Sequence, residues 1–123
     1  MIPRHKFNPP DEVHQRQMRS DVRRYTRASK ESKLAQIIKD TTGFHPYLQR
    51  KYRGENQVIA RQLFLVLLSR NTTTTYERIA GIIGMDHASV NASQKAIDAR
   101  RDTDKQFRKL YEELETKTKK LYS

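Results

Sequence analysis

A helix end, a glycine turn and a second helix start follow one another without interruption in the stretch Ile79-Ala80-Gly81-Ile82-Ile83-Gly84-Met85-Asp86-His87-Ala88-Ser89-Val90. Two short helices joined by a tight, glycine-containing turn are typical of a helix-turn-helix, whose second helix lies in the DNA major groove. Here the second helix would begin with small polar side chains, which can reach base edges without holding the backbone away from the groove. The stretch therefore predicts a helix-turn-helix with a second helix that starts at Asp86.

The whole chain is strongly basic. Its 123 residues include 25 Lys and Arg against 14 Asp and Glu, which gives a formal net charge of +11 and an isoelectric point near 10.1. The net charge is +5 in residues 1–33 and +3 in each of the ranges 34–99 and 100–123. Such a distribution favours a nucleic-acid partner. The alternative is a solvated basic surface on a structural protein.

Composition also excludes several classes of protein. The chain has no cysteine, so it can form neither disulfides nor thiolate metal sites, which fits an intracellular protein. No apolar run approaches the roughly 18–20 residues of a membrane span, and no apolar region follows the N-terminal charges as in a secretory signal. We therefore expect a cytoplasmic, nucleoid-associated protein with one small core and no membrane partner.

The chain divides into an arm, a domain and a tail. Three prolines disfavour helix in residues 1–10, and a helix with a thin apolar stripe is predicted over residues 11–28, followed by a break at 29–32. The predicted parts are a basic N-terminal arm and helix in residues 1–31, a helix-turn-helix domain in residues 32–115 and a basic C-terminal helix end in residues 116–123.

The first part of the domain predicts two short helices. Apolar residues between Leu34 and Ile38 have the spacing of one helix face, and this helix should end before Gly43. Pro46 suits the first turn of a small helix. A basic loop, residues 50–54, follows and ends in a glycine, which allows an unusual backbone angle.

A longer helix is predicted from Asn56 or Gln57 to about Ser69. It is apolar nearly all round, so it should be the central element of the core. A threonine-rich link follows. Within it, Thr74 and the residue three positions later, Glu77, have the spacing of a capping box and predict the start of the next helix.

The helix after the turn should carry its apolar residues on one side. Gly84 is predicted to end the preceding helix, and Asp86 is a natural N-cap for a helix that runs to about Arg101. Val90 and Ile97 have the spacing of its inner face. The outer face is then left free for a partner.

A last helix completes the domain. Thr103 and Gln106 have the spacing of a second capping box, and apolar residues continue at helical spacing from Phe107 to Leu114. Nowhere does a strand-like alternation extend over more than a few residues. The sequence therefore predicts an all-α fold, a compact helical domain with a helix-turn-helix.

Several of these features together resemble domain IV of the bacterial replication initiator DnaA, which is similar to the Trp-repressor class of helix-turn-helix. The resemblance covers about two-thirds of the chain, residues 34–114. The residues that carry it are Arg61-Gln62, the apolar helix after them, the threonine-rich link, Ile79 to Gly84, Asp86-His87-x-Ser89-Val90 and Ile97.

The resemblance implies a set of DNA contacts. Carried over by position, the major-groove residues are Asp86, His87, Ala88 and Ser89. The minor-groove residues are Lys51 and Arg53, in the basic loop. The phosphate contacts are Arg50, Arg61, Gln62, Thr75 and Lys95, with the Arg61-Gln62 pair expected at a helix start. General physics agrees, because a helix N-terminus attracts phosphate and arginine suits a narrow minor groove.

The sequence also departs from this family. Met85 stands where the family has an arginine, Ala88 replaces a hydroxyl residue, and the turn is one residue shorter. Altered base recognition is the expected result. No Gly-x-x-x-x-Gly-Lys-[Ser/Thr] phosphate loop is present, so the ATPase module of an initiator is absent. The resemblance thus implies a separate DNA reader in replication or transcription control.

Two other functions stay open at this point. One is an oligomeric structural or assembly protein, such as a phage packaging or scaffold component, that binds DNA non-specifically and self-associates through residues 11–28 or the C-terminal helix. The other is a protein that binds structured RNA. An enzyme is not expected, because Asp86 and His87 lack further partners for catalysis. The remaining histidines, His5, His14 and His45, lack metal-ligand spacing, so no metal or cofactor is expected.

Overall fold

A computed structural model describes residues 29–47 and 54–123 of the chain. Within these ranges the chain forms helices and no strands, so the predicted all-α fold is confirmed. The predicted arm and helix of residues 1–28 and most of the basic loop, residues 48–53, lie outside the described residues. The helices are α1 (Lys30–Thr42), α2 (Glu55–Asn71), α3 (Tyr76–Ile82), α4 (Ala88–Thr103) and α5 (Lys105–Tyr122).

Helix α2 is the centre of the fold. Ten of its 17 residues are buried, among them every residue from Leu63 to Leu68. Each of the other four helices packs against it, and α4 makes the largest contact. The predicted core helix is therefore confirmed, although it begins at Glu55, slightly earlier than predicted, and extends two residues beyond Ser69.

Helix α1 begins and ends at side chains suited to those positions. The hydroxyl oxygen of Ser29 accepts a hydrogen bond from the N–H of Ser32 at 3.1 Å and caps the helix start. The predicted break over residues 29–32 is thus confined to Ser29. At the other end Gly43 adopts a φ of 87° and donates its N–H to the carbonyl of Lys39 at 2.7 Å, as in an αL cap.

Helix α5 packs its apolar stripe against its own domain. Four residues of the stripe, Phe107, Leu110, Tyr111 and Leu114, are buried. A second chain that approached this helix would therefore meet its charged face. The predicted capping box of Thr103 and Gln106 is wrong. Thr103 belongs to α4, and the Asp104 carboxylate caps α5 by accepting from the backbone N–H groups of Gln106 and Phe107.

A polar cluster fixes the end of α2 to α4 and α5. The Arg70 guanidinium donates to both carboxylate oxygens of Asp98, at 3.0 and 2.8 Å, and to the Tyr111 hydroxyl at 3.3 Å. These contacts hold the pKa of the Asp98 carboxyl below its usual value. The Arg101 guanidinium lies 4.2 Å from the centre of the Tyr111 ring, a cation–π distance. The cluster joins three helices at one end of the core.

His45 is buried in the segment that follows α1. Only 2% of its surface is exposed, its Nδ1 accepts the backbone N–H of Tyr47 at 3.1 Å, and its carbonyl accepts from the Gln57 amide at 2.9 Å. Burial, reinforced by the charge of Lys39, lowers the pKa of His45 from 6.5 to about 4. The folded protein therefore holds this imidazole neutral.

This burial predicts a loss of stability in acid. Because the pKa is lower in the folded chain than in the unfolded one, the contribution of His45 is complete above pH 6.5 and falls as the pH drops towards 4. We expect a loss of about 3 kcal/mol across that window, measured by urea unfolding. The His45→Asn variant keeps an acceptor near the position of Nδ1, so its stability should depend less steeply on pH.

The exposed His87 provides the matched control. The His87→Asn variant makes the same exchange at an exposed position and shows the effect of the substitution itself. Equal slopes for the unmodified protein and His45→Asn between pH 7 and 4.5 would contradict the assignment to His45.

Candidate nucleic-acid interface

The turn between α3 and α4 is fixed by two backbone hydrogen bonds. The N–H of Gly84, at a φ of 70°, donates to the carbonyl of Gly81 at 3.2 Å, and the N–H of Met85 donates to the carbonyl of Ala80 at 2.9 Å. This pair of bonds defines a Schellman motif, in which an apolar residue after the glycine packs back on the helix. Met85 is half-buried and packs against the core, which gives a structural reason for an apolar side chain there.

The start of α3 differs from the prediction by one residue. Thr75 caps the helix, and its hydroxyl oxygen accepts the N–H of Arg78 at 3.3 Å. The predicted capping box of Thr74 and Glu77 is therefore wrong, because the third helical position is Arg78, which has no carboxylate to return the bond. The Thr75 side chain lies on the surface.

The start of α4 is held by Asp86. Its Oδ1 accepts the backbone N–H of Ser89 at 3.1 Å and the Ser89 hydroxyl at 3.2 Å. The regular helix begins at Ala88, and His87 already has helical angles without a side-chain cap. Asp86 therefore supplies the capping bond that the sequence predicted, and the helix limits differ by an amount usual for helix ends.

The two sides of α4 have different environments. Val90 and Ile97 are buried, as predicted, and Ser93 lies between them at 3% exposure. The outward side is exposed, and we call it the outer face of α4. Its exposed residues are Asp86, His87, Ala88, Asn91, Ala92 and Lys95, with Ser89 half-buried at its edge.

Asn91 was missed by the sequence reasoning. It is exposed and lies one turn beyond His87 on the outer face of α4. The sequence could have indicated Asn91, because residues four positions apart, such as His87 and Asn91, lie on the same side of a helix. An exposed amide at this position can form paired hydrogen bonds with adenine.

Polar contacts hold α4 from its flanks. The amide of Gln94 donates to the hydroxyls of Ser69 and Tyr76 at 3.3 and 3.0 Å, and Arg100 bonds to Glu55 at 2.9 Å. These bonds connect α4 with α2 and with the start of α3. None of them crosses the outer face of α4, which stays accessible.

Arg61 and Gln62 lie elsewhere than expected. Because α2 begins at Glu55, Arg61 is its seventh residue, and the prediction that this pair stands at a helix start is wrong. Arg61 is only 6% exposed, whereas Gln62 is half-buried. Both line a cleft that also reaches Ser89, so the structure brings these three predicted site residues together.

Most of the other predicted cationic contacts are not described. Arg50, Lys51 and Arg53 lie in residues 48–53, outside the described ranges. Lys95 is described, is exposed and has no ion-pair partner among residues 29–47 and 54–123. It is also the one basic side chain on the outer face of α4, where Asp86 carries a negative charge.

Three further findings are negative. No group of three or more His, Asp and Glu side chains in the described part of the chain is placed to hold a metal ion. The described helices include none that is both long and apolar enough to cross a membrane. Comparison of the chain with protein-family models, curated proteins and solved structures finds no match.

Two glycines around the turn give a paired stability test. Gly84 has a φ of 70°, which is strained for any residue with a Cβ, so Gly84→Ala should lower the free energy of unfolding by about 1–2 kcal/mol. Gly81 is helical, and a Cβ there would meet nothing within 4 Å. Gly81→Ala should therefore raise the free energy of unfolding by about 0.5–1 kcal/mol.

Chemical denaturation of the two variants is the measurement. Each variant serves as the control for the other, because the side chain added is the same and the positions are three residues apart. A shift in the same direction for both would contradict the turn geometry.

Proposed function

We propose that this protein binds double-stranded DNA sequence-selectively, in replication or transcription control, and reads the major groove with α4. The observation that supports this most is the outer face of α4, an exposed row of small and polar side chains on a capped helix that directly follows a tight turn. A helix of this kind fits the major groove, where each base pair presents a distinct pattern of donors and acceptors.

Each residue at the start of the helix has a distinct chemical role in this proposal. His87 offers a ring nitrogen to a base edge, and the methyl group of Ala88 can pack against a thymine methyl. The Ser89 hydroxyl already donates to Asp86, so its oxygen is left to accept from a base amine. The second carboxylate oxygen of Asp86 can accept from cytosine. Asn91 extends the readout by one turn.

The phosphate contacts follow from which donors are free. The Thr75 hydroxyl accepts the Arg78 N–H, which leaves its own hydrogen for a phosphate oxygen. Lys95 is exposed without an ion-pair partner among the described residues. Gln62 adds an amide at the edge of the cleft. The roles of Arg50, Lys51 and Arg53 rest on the resemblance to the initiator domain.

The distribution of charge along the chain separates the proposed salt-dependent affinity from the proposed sequence discrimination. The outer face of α4 has one cationic side chain, too few for strong attraction to a duplex by itself. Residues 1–28 and 48–53 together contain 10 of the 25 basic side chains and only 3 of the 14 acidic ones. We therefore assign most of the salt-dependent affinity to these two segments and the sequence discrimination to α4.

The assembly alternative receives less support from the described surface. Tyr76, at 37% exposure, is the one large apolar side chain that is exposed among the described residues. Self-association would then depend on residues 11–28. A large ring or filament in solution, measured by light scattering, would favour assembly, whereas a small particle favours the DNA reader.

Selection from random duplexes at two salt concentrations tests the proposal. The unmodified protein should enrich a defined motif that survives the higher salt. His87→Ala and Asn91→Ala should relax this motif at one position each and lower affinity for it by about 1–3 kcal/mol. Lys51→Ala should weaken binding to all duplexes equally and reduce the salt dependence.

The initiator's own DNA box belongs in the selection as a competitor. Its enrichment would show how far the resemblance extends to base recognition. Salt-sensitive binding without any motif would contradict the proposed readout, as would equal losses on every sequence for the α4 and the loop variants.

A further inference from the structure

A cleft opens between α2 and the start of α4, beneath the outer face of α4. Its volume is about 450 Å³, within the range typical of small-molecule sites. We call it the α2–α4 cleft. Its lining residues are Val58, Arg61, Gln62, Met85, Ser89, Ala92 and Ser93.

The polar groups of the cleft include two deeply buried side chains. Arg61 is 6% exposed and Ser93 is 3% exposed, yet both line the open space. The Ser93 hydroxyl has no hydrogen-bond partner among the described residues. This hydroxyl is therefore free to bond a group that enters the cleft. A guanidinium has five N–H donors and can serve several acceptors at once.

The rest of the cleft is apolar. Val58 and Met85 form its wall, and the methyl group of Ala92 lies at its exposed edge. A lone phosphate or sulfate would leave most of this surface in contact with water. An occupant that matches the whole cleft needs an apolar body as well as an anionic group.

We infer that the α2–α4 cleft binds a small organic anion, a carboxylate or phosphate ester on an apolar body. The anionic group would lie at Arg61 and accept a hydrogen bond from Ser93, and the body would pack on Met85 and Val58. This site goes beyond DNA binding and does not depend on it.

Under this proposal we expect the cleft to favour a small ligand over a DNA phosphate. Backbone phosphates are linked on both sides to sugars, and Arg61 exposes only 6% of its surface. A free ligand can enter the cleft, whereas a duplex meets the outer face of α4. Binding in this recess therefore does not require DNA.

Titration of the full chain with phenyl phosphate and with benzoate, followed by NMR of the backbone amides without DNA, tests the site. Saturable shifts are expected at Ser89, Ala92 and Ser93 for at least one of the two probes. Benzyl alcohol, which lacks the charge, and inorganic phosphate, which lacks the apolar body, should each bind at least about tenfold more weakly. Equal binding of inorganic phosphate would overturn the proposal and indicate adventitious anion binding only.

Three variants of α4 localise the effect without removing the buried arginine. Ala92→Leu places a larger side chain at the exposed edge of the cleft and should weaken the probe at least tenfold, whereas Ala99→Leu makes the same change at an exposed position outside the cleft and should leave affinity unchanged. Ser93→Ala should weaken binding roughly three- to tenfold through one lost hydrogen bond. Undiminished binding in Ala92→Leu would overturn the assignment, whatever the protein does with DNA.

Discussion

Burial of α2 is the constraint on which the other helices depend. A helix that is apolar nearly all round must be covered on every side, and here each of the other four helices covers part of it. The relative position of α3 and α4 is thus set by a shared neighbour as well as by the short turn between them. The few buried polar side chains of α2 have fixed surroundings. For example, the Gln57 amide donates to the carbonyl of His45 at 2.9 Å.

The same constraint explains why the residues on the outer face of α4 contribute little to packing of the core. Its inner side meets α2 through Val90 and Ile97, and the cluster of Arg70 with Asp98 fixes the helix nearer its end. Side chains that point away from α2 therefore contribute little to stability. They can change without loss of the fold, which is the condition under which a surface can acquire base-reading chemistry. Asp86 is the exception, because it both starts the helix and lies on that face.

Helical spacing predicted the all-α fold, the core helix and the inner residues of α4, because those features follow from local periodicity. The caps were less predictable. Four consecutive threonines each offer a hydroxyl, and only the path of the backbone into α3 selects Thr75 over Thr74. The carboxylate of Asp104 likewise replaces Thr103. The burial of Arg61 could not be read from sequence, since charged side chains are rarely buried and its place depends on how α4 crosses α2.

The proposed DNA face and the proposed anion site share one short piece of helix. Ser89 and Ala92 line the α2–α4 cleft, while His87, Ala88 and Asn91 on the same two turns face outward. Because the cap at Asp86 and the Schellman turn hold these turns as a rigid unit, a ligand in the cleft cannot move one side without the other. Under the two proposals, a ligand that shifts these turns would therefore change the affinity of the protein for the duplex. By linkage, the duplex would then change the affinity for the ligand by the same factor.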